Sequence, residues 1–177
     1  MPEIFSLRDL PRYECLEARA RRFPDLDVGA VEATLTLMRV GSDVLEGFAA
    51  HLQNCGTSQG RFLVMMVLDR YAQQPLLPSE LAEKIGVTRA TITGLLDGLE
   101  RDALIERRAH AHDRRALTIH LTDKARGWLE AMLPDHYHRI ALLMSELDDS
   151  ERRQLVALLT KVAAKTDAIR APNASEN

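Results

Sequence analysis

Aromatic residues are scarce. Phe, Trp and Tyr make up 5% of 177 residues, too few for a platform that stacks single-stranded bases. Cysteine is nearly absent. Cys15 and Cys55 are the only two, which excludes a disulfide framework and leaves free thiols. Neither sign of charge dominates. A net charge of −3 argues against a whole surface built for polyanions but permits a local basic footprint, because counterion release depends on the contacting patch. No apolar run could span a bilayer, and the start MPEIFSLRDL lacks a basic-then-apolar leader pattern. A cytoplasmic protein with no membrane partner is the expectation. There is no phosphate-binding glycine loop. No Ser/His/Asp, Cys/His or paired-carboxylate arrangement rises above chance. The chain reads as no enzyme, with no cofactor and no metal.

What is present is an ordinary globular balance, 46% hydrophobic and 28% charged, enough for one domain with a core plus extensions. The informative stretch runs from Pro78 to Thr122. Pro78 suits a first helical position, Leu81, Ala82 and Ile85 form an inner face, and Gly86 can take the left-handed backbone that ends a helix. Thr88 is placed to cap a second helix, in which Ile92, Leu95, Leu96 and Leu99 repeat at core spacing. Its other face is small and polar: Arg89, Ala90, Thr91, Thr93, Gly94, Asp97. A helix entering a major groove has this character, with bulk kept low and a donor placed early. A hairpin follows. Ile105 to Arg108 rises and Leu117 to Leu121 returns with period-two alternation. Between Ile105 and Arg115 stand four arginines and two histidines against Glu106 and Asp113. Paired arginines at a loop tip can enter a minor groove or grip phosphates, and Asp113 can orient Arg115. The stretch reads as a winged helix-turn-helix that holds duplex DNA. Its contacts are assigned to Thr88, Arg89, Thr91, Thr93, Arg108, His110, Asp113, Arg114 and Arg115.

The flanks are helical. Pro11 to about Arg22 forms an amphipathic stub, with Tyr13, Leu16, Ala20 and Phe23 on one side. Asp27 caps a long helix to Asn54 whose stripe is Val28, Val31, Leu35, Met38, Ser42, Leu45, Ala49 and Leu52. Cys55-Gly56 breaks it. Thr57 is expected to cap a largely apolar, central helix over Gln59–Tyr71. After the hairpin, Thr122 caps another long helix in which Pro134 should introduce a bend. Asp148 and Glu151 have capping-box spacing before a last apolar helix. Both ends therefore carry stripes that the central motif cannot bury. The economical solution is a two-fold homodimer presenting two reading helices about 34 Å apart to a near-palindrome.

The run SELAEKIGVTRATITGLLDGLERDALIERR, followed by DRRALTIHLTDKA, resembles the MarR family of bacterial transcription regulators. The features that carry it are the helix-turn-helix, the LIERR strand start, the D-x-R of Asp113 and Arg115, and the LT-x-K of Leu121, Thr122 and Lys124. It extends over roughly residues 28 to 168, and ARARRFPDLD is similar to the EmrR-like subgroup. Three positions depart from the family pattern. Leu77 replaces a capping Thr or Ser. Ala103 replaces the glycine that ends the recognition helix, at up to about 1 kcal/mol if φ is positive. Ala125 replaces another glycine, harmlessly inside a helix. The resemblance implies a mainly α fold with a small β-hairpin wing. Its divisions are an N-terminal extension (1–26), a MarR-like domain (27–170) and a disordered tail (171–177). Within the domain, a winged helix-turn-helix core spans 57–122, and dimerisation helices span 27–54 and 122–170. It also implies a repressor released from a palindromic operator by a small aromatic or drug-like effector, bound in a cleft near His51, Arg61 and Met65.

Blander readings stand beside these. The polar face could be plain solvated helix, and Asp113–Arg115 a surface ion pair of little worth. Methionines such as Met38, Met65, Met66 and Met132 are first core fillers. His110, His112 and Asp113 could share a metal, but inside the DNA contact surface phosphate or solvent is the better partner. Two other functions remain open: a winged-helix protein-interaction module, and a thiol redox-sensing regulator using Cys15 or Cys55.

Overall fold

Local signals set most element boundaries in the computed structural model, which describes residues 9–109 and 117–169. The expected tail at 171–177 and the assigned residues His110, Asp113, Arg114 and Arg115 lie outside that range. The order is α1 (Tyr13–Ala20), α2 (Val28–Asn54), α3 (Gln59–Arg70), α4 (Pro78–Ile85), α5 (Arg89–Arg101), β1 (Ile105–Ala109), β2 (Leu117–Leu121), α6 (Asp123–Leu143) and α7 (Asp149–Ala163), then a 3-10 turn (Thr166–Ile169). The fold is mainly helical with a two-stranded antiparallel hairpin, as expected.

Caps explain the starts. Asp27 Oδ1 accepts from Ala30 N at 3.0 Å and starts α2. Thr88 Oγ1 accepts from Thr91 N at 3.1 Å and starts α5. Thr122 Oγ1 accepts from Ala125 N at 3.2 Å at the head of α6. Asp148 and Glu151 close a reciprocal capping box on α7. At α4 only half a box exists: Glu80 Oε2 accepts from Leu77 N at 2.7 Å, and the leucine side chain has nothing to return. The expectation at α3 needs correction. Ser58, not Thr57, is the cap: its backbone is extended and its hydroxyl accepts from Arg61 N at 3.4 Å. Thr57 is buried instead, closing the end of α2 by donating its N–H to Leu52 O at 3.0 Å.

Three helices end in the same way. In each, one N–H reaches back five residues and the preceding one reaches back three: Thr57 to Leu52 and Gly56 to Gln53, Val87 to Ala82 and Gly86 to Glu83, Leu104 to Leu99 and Ala103 to Glu100. This is the Schellman pattern, and it needs a left-handed residue at its pivot. Gly56 and Gly86 supply it at φ 75° and 76°, whereas Ala103 does so at φ 55° with a Cβ. Ala125 is helical and fully buried, as a harmless replacement should be.

The chain divides into two units, Met1–Arg126 and Gly127–Asn177. In the first, α3 is central. Its Phe62, Val64, Met65 and Leu68 are buried, as are Leu81, Ile92, Leu96, Leu99, Ile105, Ile119 and Leu121 from the elements around it. Gly60 permits the close approach of α3 to α5, since a Cβ there would stand 3.1 Å from Leu95 Cδ2. β1 and β2 pair with Ile105 opposite Leu121 and Ala109 opposite Leu117. The simple alternation expected of β2 is modified. Thr118 is buried beside Ile119, and Leu117, on the face of Ile119 and Leu121, is exposed at the far end of the hairpin. Leu76 adds a bridge, accepting from Ile119 N at 2.9 Å. The α1 stub lies on α2 with Leu16 buried, but Tyr13 and Phe23 are exposed. Met38 and Leu45, members of the α2 stripe expected to reach beyond the chain's own core, are 52% and 44% exposed. In the second unit α6 continues through Pro134, with Leu129, Met132 and His136 buried, while α7 has no buried residue.

Candidate nucleic-acid interface

The N-terminal turn of α5 carries the polar face assigned to DNA. Thr88, the cap, shares a 2.9 Å hydrogen bond with the Thr91 hydroxyl. Thr93 Oγ1 donates to Arg89 O at 2.8 Å. That proton is committed to the backbone, so Thr93 presents a methyl group and acceptor lone pairs outward. Arg89 supplies the long donor. Thr88, Arg89, Thr91 and Thr93 are all exposed. The face thus combines one forked cation with three small hydroxyl side chains, a set that can meet phosphate oxygens and base edges without steric block. Arg89, Ile92 and Thr93 also border a cleft of about 450 Å³ completed by Leu77, Pro78, Ser79 and Leu117. A groove therefore runs between α5, the start of α4 and the far end of the hairpin at Leu117.

At the hairpin, Arg108 is exposed and paired with Glu106 across one residue on the same strand. An exposed pair of this kind is weakly held, so Arg108 can exchange Glu106 for a phosphate at small cost. His120 lies on β2 opposite Glu106, with Nε2 2.9 Å from Thr118 Oγ1. Burial, and then the positive charge of Arg108, push its pKa below the usual histidine value, with Glu106 opposing.

The far end of α5 is anchored by charge. Arg61 of α3 pairs with Asp102, whose carboxyl it holds below the ordinary range, first by hydrogen bonding and then by charge. Lys124 Nζ donates to Asp102 O at 2.8 Å and Thr122 Oγ1 to Ala103 O at 2.8 Å. Arg107 on β1 pairs with both Asp97 and Glu100 of α5. None of these ties was anticipated. Their partners lie 7 to 41 residues apart, beyond the reach of helical spacing rules.

Each of the assigned effector residues is buried or paired. Met65 is fully enclosed, His51 is buried in the last turn of α2, and Arg61 is occupied by Asp102. A larger cleft, about 560 Å³, lies between α1 and α2, bordered by Asp9, Pro11, Cys15, Leu16, Arg19, Val31 and Leu35. Cys15 is exposed there and Cys55 is half-buried. No helix among the described residues is long and apolar enough to cross a membrane.

Comparison with known proteins agrees with this architecture. The MarR family model matches residues 58–117. The chain is 35% identical over 154 residues to the HTH-type transcriptional repressor YetL of Bacillus subtilis, covering 87% of this chain and 92% of that protein. It is 30% identical over 157 residues to the transcriptional repressor MprA of Escherichia coli, covering 89% of each. Among solved structures, the repressor CouR bound to a 23-mer DNA duplex superposes with a TM-score of 0.67 at 27% identity, over 78% of this chain and 99% of that one. Identity of 35% across 87% of the chain, with the family model matched over the helix-turn-helix and hairpin, establishes that this chain belongs to the MarR family of transcriptional regulators.

Proposed function

We propose that the protein is a homodimeric repressor that binds a near-palindromic operator and is released by a small aromatic or drug-like ligand. The observation that carries the DNA assignment is the exposed N-terminal face of α5. Thr88, Arg89, Thr91 and Thr93 are presented together there, with the acidic end of the helix tied back by Arg61, Arg107 and Lys124. The names of YetL, MprA and CouR, repressors all, support the sign of regulation. In this reading Arg89, Thr91 and Thr93 meet base edges, while Thr88, Arg108, His110 and Arg114 meet backbone. Arg115, oriented by Asp113, enters the adjoining minor groove.

The dimer assignment rests on apolar surface. In α7 Val156, Leu158, Leu159 and Val162 are all exposed, as is Ile169 beyond it. A single chain rarely leaves so many large apolar side chains of one helix in water. The effector would then occupy a cleft completed only in the dimer, where it favours a lobe spacing that no longer matches the groove.

The test is binding of purified protein to the duplex upstream of its own gene, followed by fluorescence anisotropy over a salt series. Arg89→Ala and Arg115→Ala should each weaken binding at least tenfold. For Arg115, if it contacts phosphate, the slope of log K against log salt should fall by about one. Unchanged affinity in both variants would refute the groove assignments. Sedimentation of Val156→Asp/Leu159→Asp should show a monomer. A panel of phenolic carboxylates should release the wild-type complex.

A further inference from the structure

Two DNA-reading elements, α5 and the hairpin, are joined covalently only by the turn Asp102–Ala103–Leu104. A turn of that length is a poor brace for a lever. β1 alone, at about 3.3 Å per residue, extends about 13 Å from that turn, so a 5° rocking at its base moves its far end by about 1 Å. Recognition tolerates roughly half of that. Something other than the turn must fix the angle between helix and hairpin.

Arg107 is placed to do so. It sits in the middle of β1, with its side chain 24% exposed. Its guanidinium forks to two carboxylates on one face of α5: Nη2 donates to Asp97 Oδ1 at 2.6 Å, and Nη1 donates to Glu100. Asp97 and Glu100 are one helical turn apart, so the planar fork spans a rise of the helix and resists both rocking and sliding. Asp97 also stands one turn beyond Thr93 on the outward face. The next residue of β1 after Arg107, Arg108, pairs instead with Glu106.

We infer that Arg107 is a positioning residue that locks hairpin and recognition helix into one rigid reader, with Asp97 and Glu100 as its anchors. This rests on the proposed DNA-reading role of α5. It makes a prediction opposite in sign to simple charge counting. Removing two carboxylates beside a DNA-reading surface should tighten binding by reducing repulsion. If instead they anchor Arg107, removing them loosens operator binding.

The experiment compares wild type, Arg107→Gln, Arg107→Lys, Asp97→Ala/Glu100→Ala, and the triple variant Asp97→Ala/Glu100→Ala/Arg107→Gln. The probes are a duplex selected from a random pool by the wild-type protein and an unrelated duplex of equal length. Arg107→Gln and Asp97→Ala/Glu100→Ala should each lose about tenfold or more on the selected duplex, while affinity for the unrelated duplex stays within about threefold, because positioning governs readout rather than backbone attraction. The triple variant should be no worse than either parent, since all three residues act as one unit. Arg107→Lys, which keeps the charge without the fork, should fall between wild type and Arg107→Gln. A fraction of misfolded protein lowers both affinities equally, so the ratio of the two separates positioning from stability.

Tighter binding by Asp97→Ala/Glu100→Ala, multiplicative losses in the triple variant, or an equal loss on both duplexes would overturn the inference. Wild-type protein that selects no duplex would overturn it together with the DNA assignment. Normal selection by wild type with unchanged binding by Arg107→Gln would overturn the inference alone.

Discussion

Replacing Ala103 by glycine should stabilise the protein. Ala103 is the pivot of the Schellman turn that closes α5, at φ 55°. For an L-residue the left-handed well costs roughly 1–2 kcal/mol, because Cβ crowds the neighbouring carbonyl. The residue cannot relax. Its N–H donates to Glu100 O at 2.9 Å and the next N–H to Leu99 O at 2.9 Å. Its own carbonyl accepts from Thr122 at 2.8 Å, and Lys124 holds the preceding carbonyl at 2.8 Å. Strain persists where surroundings over-determine the backbone, as they do here. Glycine removes the crowding but adds about 0.4–1 kcal/mol of unfolded-state entropy to be overcome. The net expectation is a gain of about 1 kcal/mol, or a rise in Tm of about 2–4 °C for a chain of this size. Gly86→Ala is the internal control. It places a Cβ at φ 76° in the same hydrogen-bonded turn and should lose about as much as Ala103→Gly gains. Far-UV circular dichroism melts at fixed protein concentration, repeated in urea, measure both. If Ala103→Gly leaves Tm unchanged or lowers it while Gly86→Ala destabilises, the strain argument at Ala103 is wrong.

Other expectations are independent of that turn. Ser58→Ala should cost about 1 kcal/mol by removing the α3 cap, whereas Thr57→Val should be neutral or stabilising. The buried Thr57 hydroxyl has no hydrogen-bond partner among the described residues, and a methyl group fills the same space. Urea midpoints of both variants would decide, and a larger loss at Thr57 would restore it as the cap. Gly60→Val should cost about 1–3 kcal/mol, because its side chain would be driven against Leu95 at the α3–α5 crossing; equal urea midpoints for Gly60→Val and wild type would show that α5 gives way freely. His120 sets a pH dependence. Its pKa is below the ordinary 6.5 in the folded chain, so the unfolded chain binds the proton first. Its contribution is complete above pH 6.5, shrinks as pH falls from there toward the folded value, and then levels off. His120→Gln should flatten stability across that window, and an unchanged profile would discount the shift.

Much of the site was legible because its signals are local. Thr88 as cap, Gly86 as stop and the polar face from Arg89 to Thr93 all depend on contacts within one helical turn, where residue type and spacing are the physics. The strain at Ala103 was foreshadowed by a non-glycine residue at a position that calls for positive φ. At α3 the local signal was ambiguous. Thr57 and Ser58 are adjacent hydroxyl residues with similar capping preference. Which one caps depends on where the chain leaves α2, and Thr57 is drawn inward by its bond to Leu52 O. The stripe of α2 was legible too, but not which of its members one chain would cover: Met38 and Leu45 stay exposed while Ser42 and Leu52 are buried. Periodicity marks an apolar stripe but not how much of its width one chain's core can cover.

By itself, then, the order of residues determined the helices, most of their caps and stops, the hairpin and the polar face of α5, since each follows from backbone propensity and hydrogen bonds over a few residues. Tertiary structure alone decided which charges far apart in sequence meet. Arg61 finds Asp102 from 41 residues away, Arg107 chooses two carboxylates on a helix that precedes it, and Leu76 joins a strand more than forty residues downstream. Those pairings depend on the angles at which packed elements cross, and a crossing angle is a property of the assembled core rather than of any segment in it.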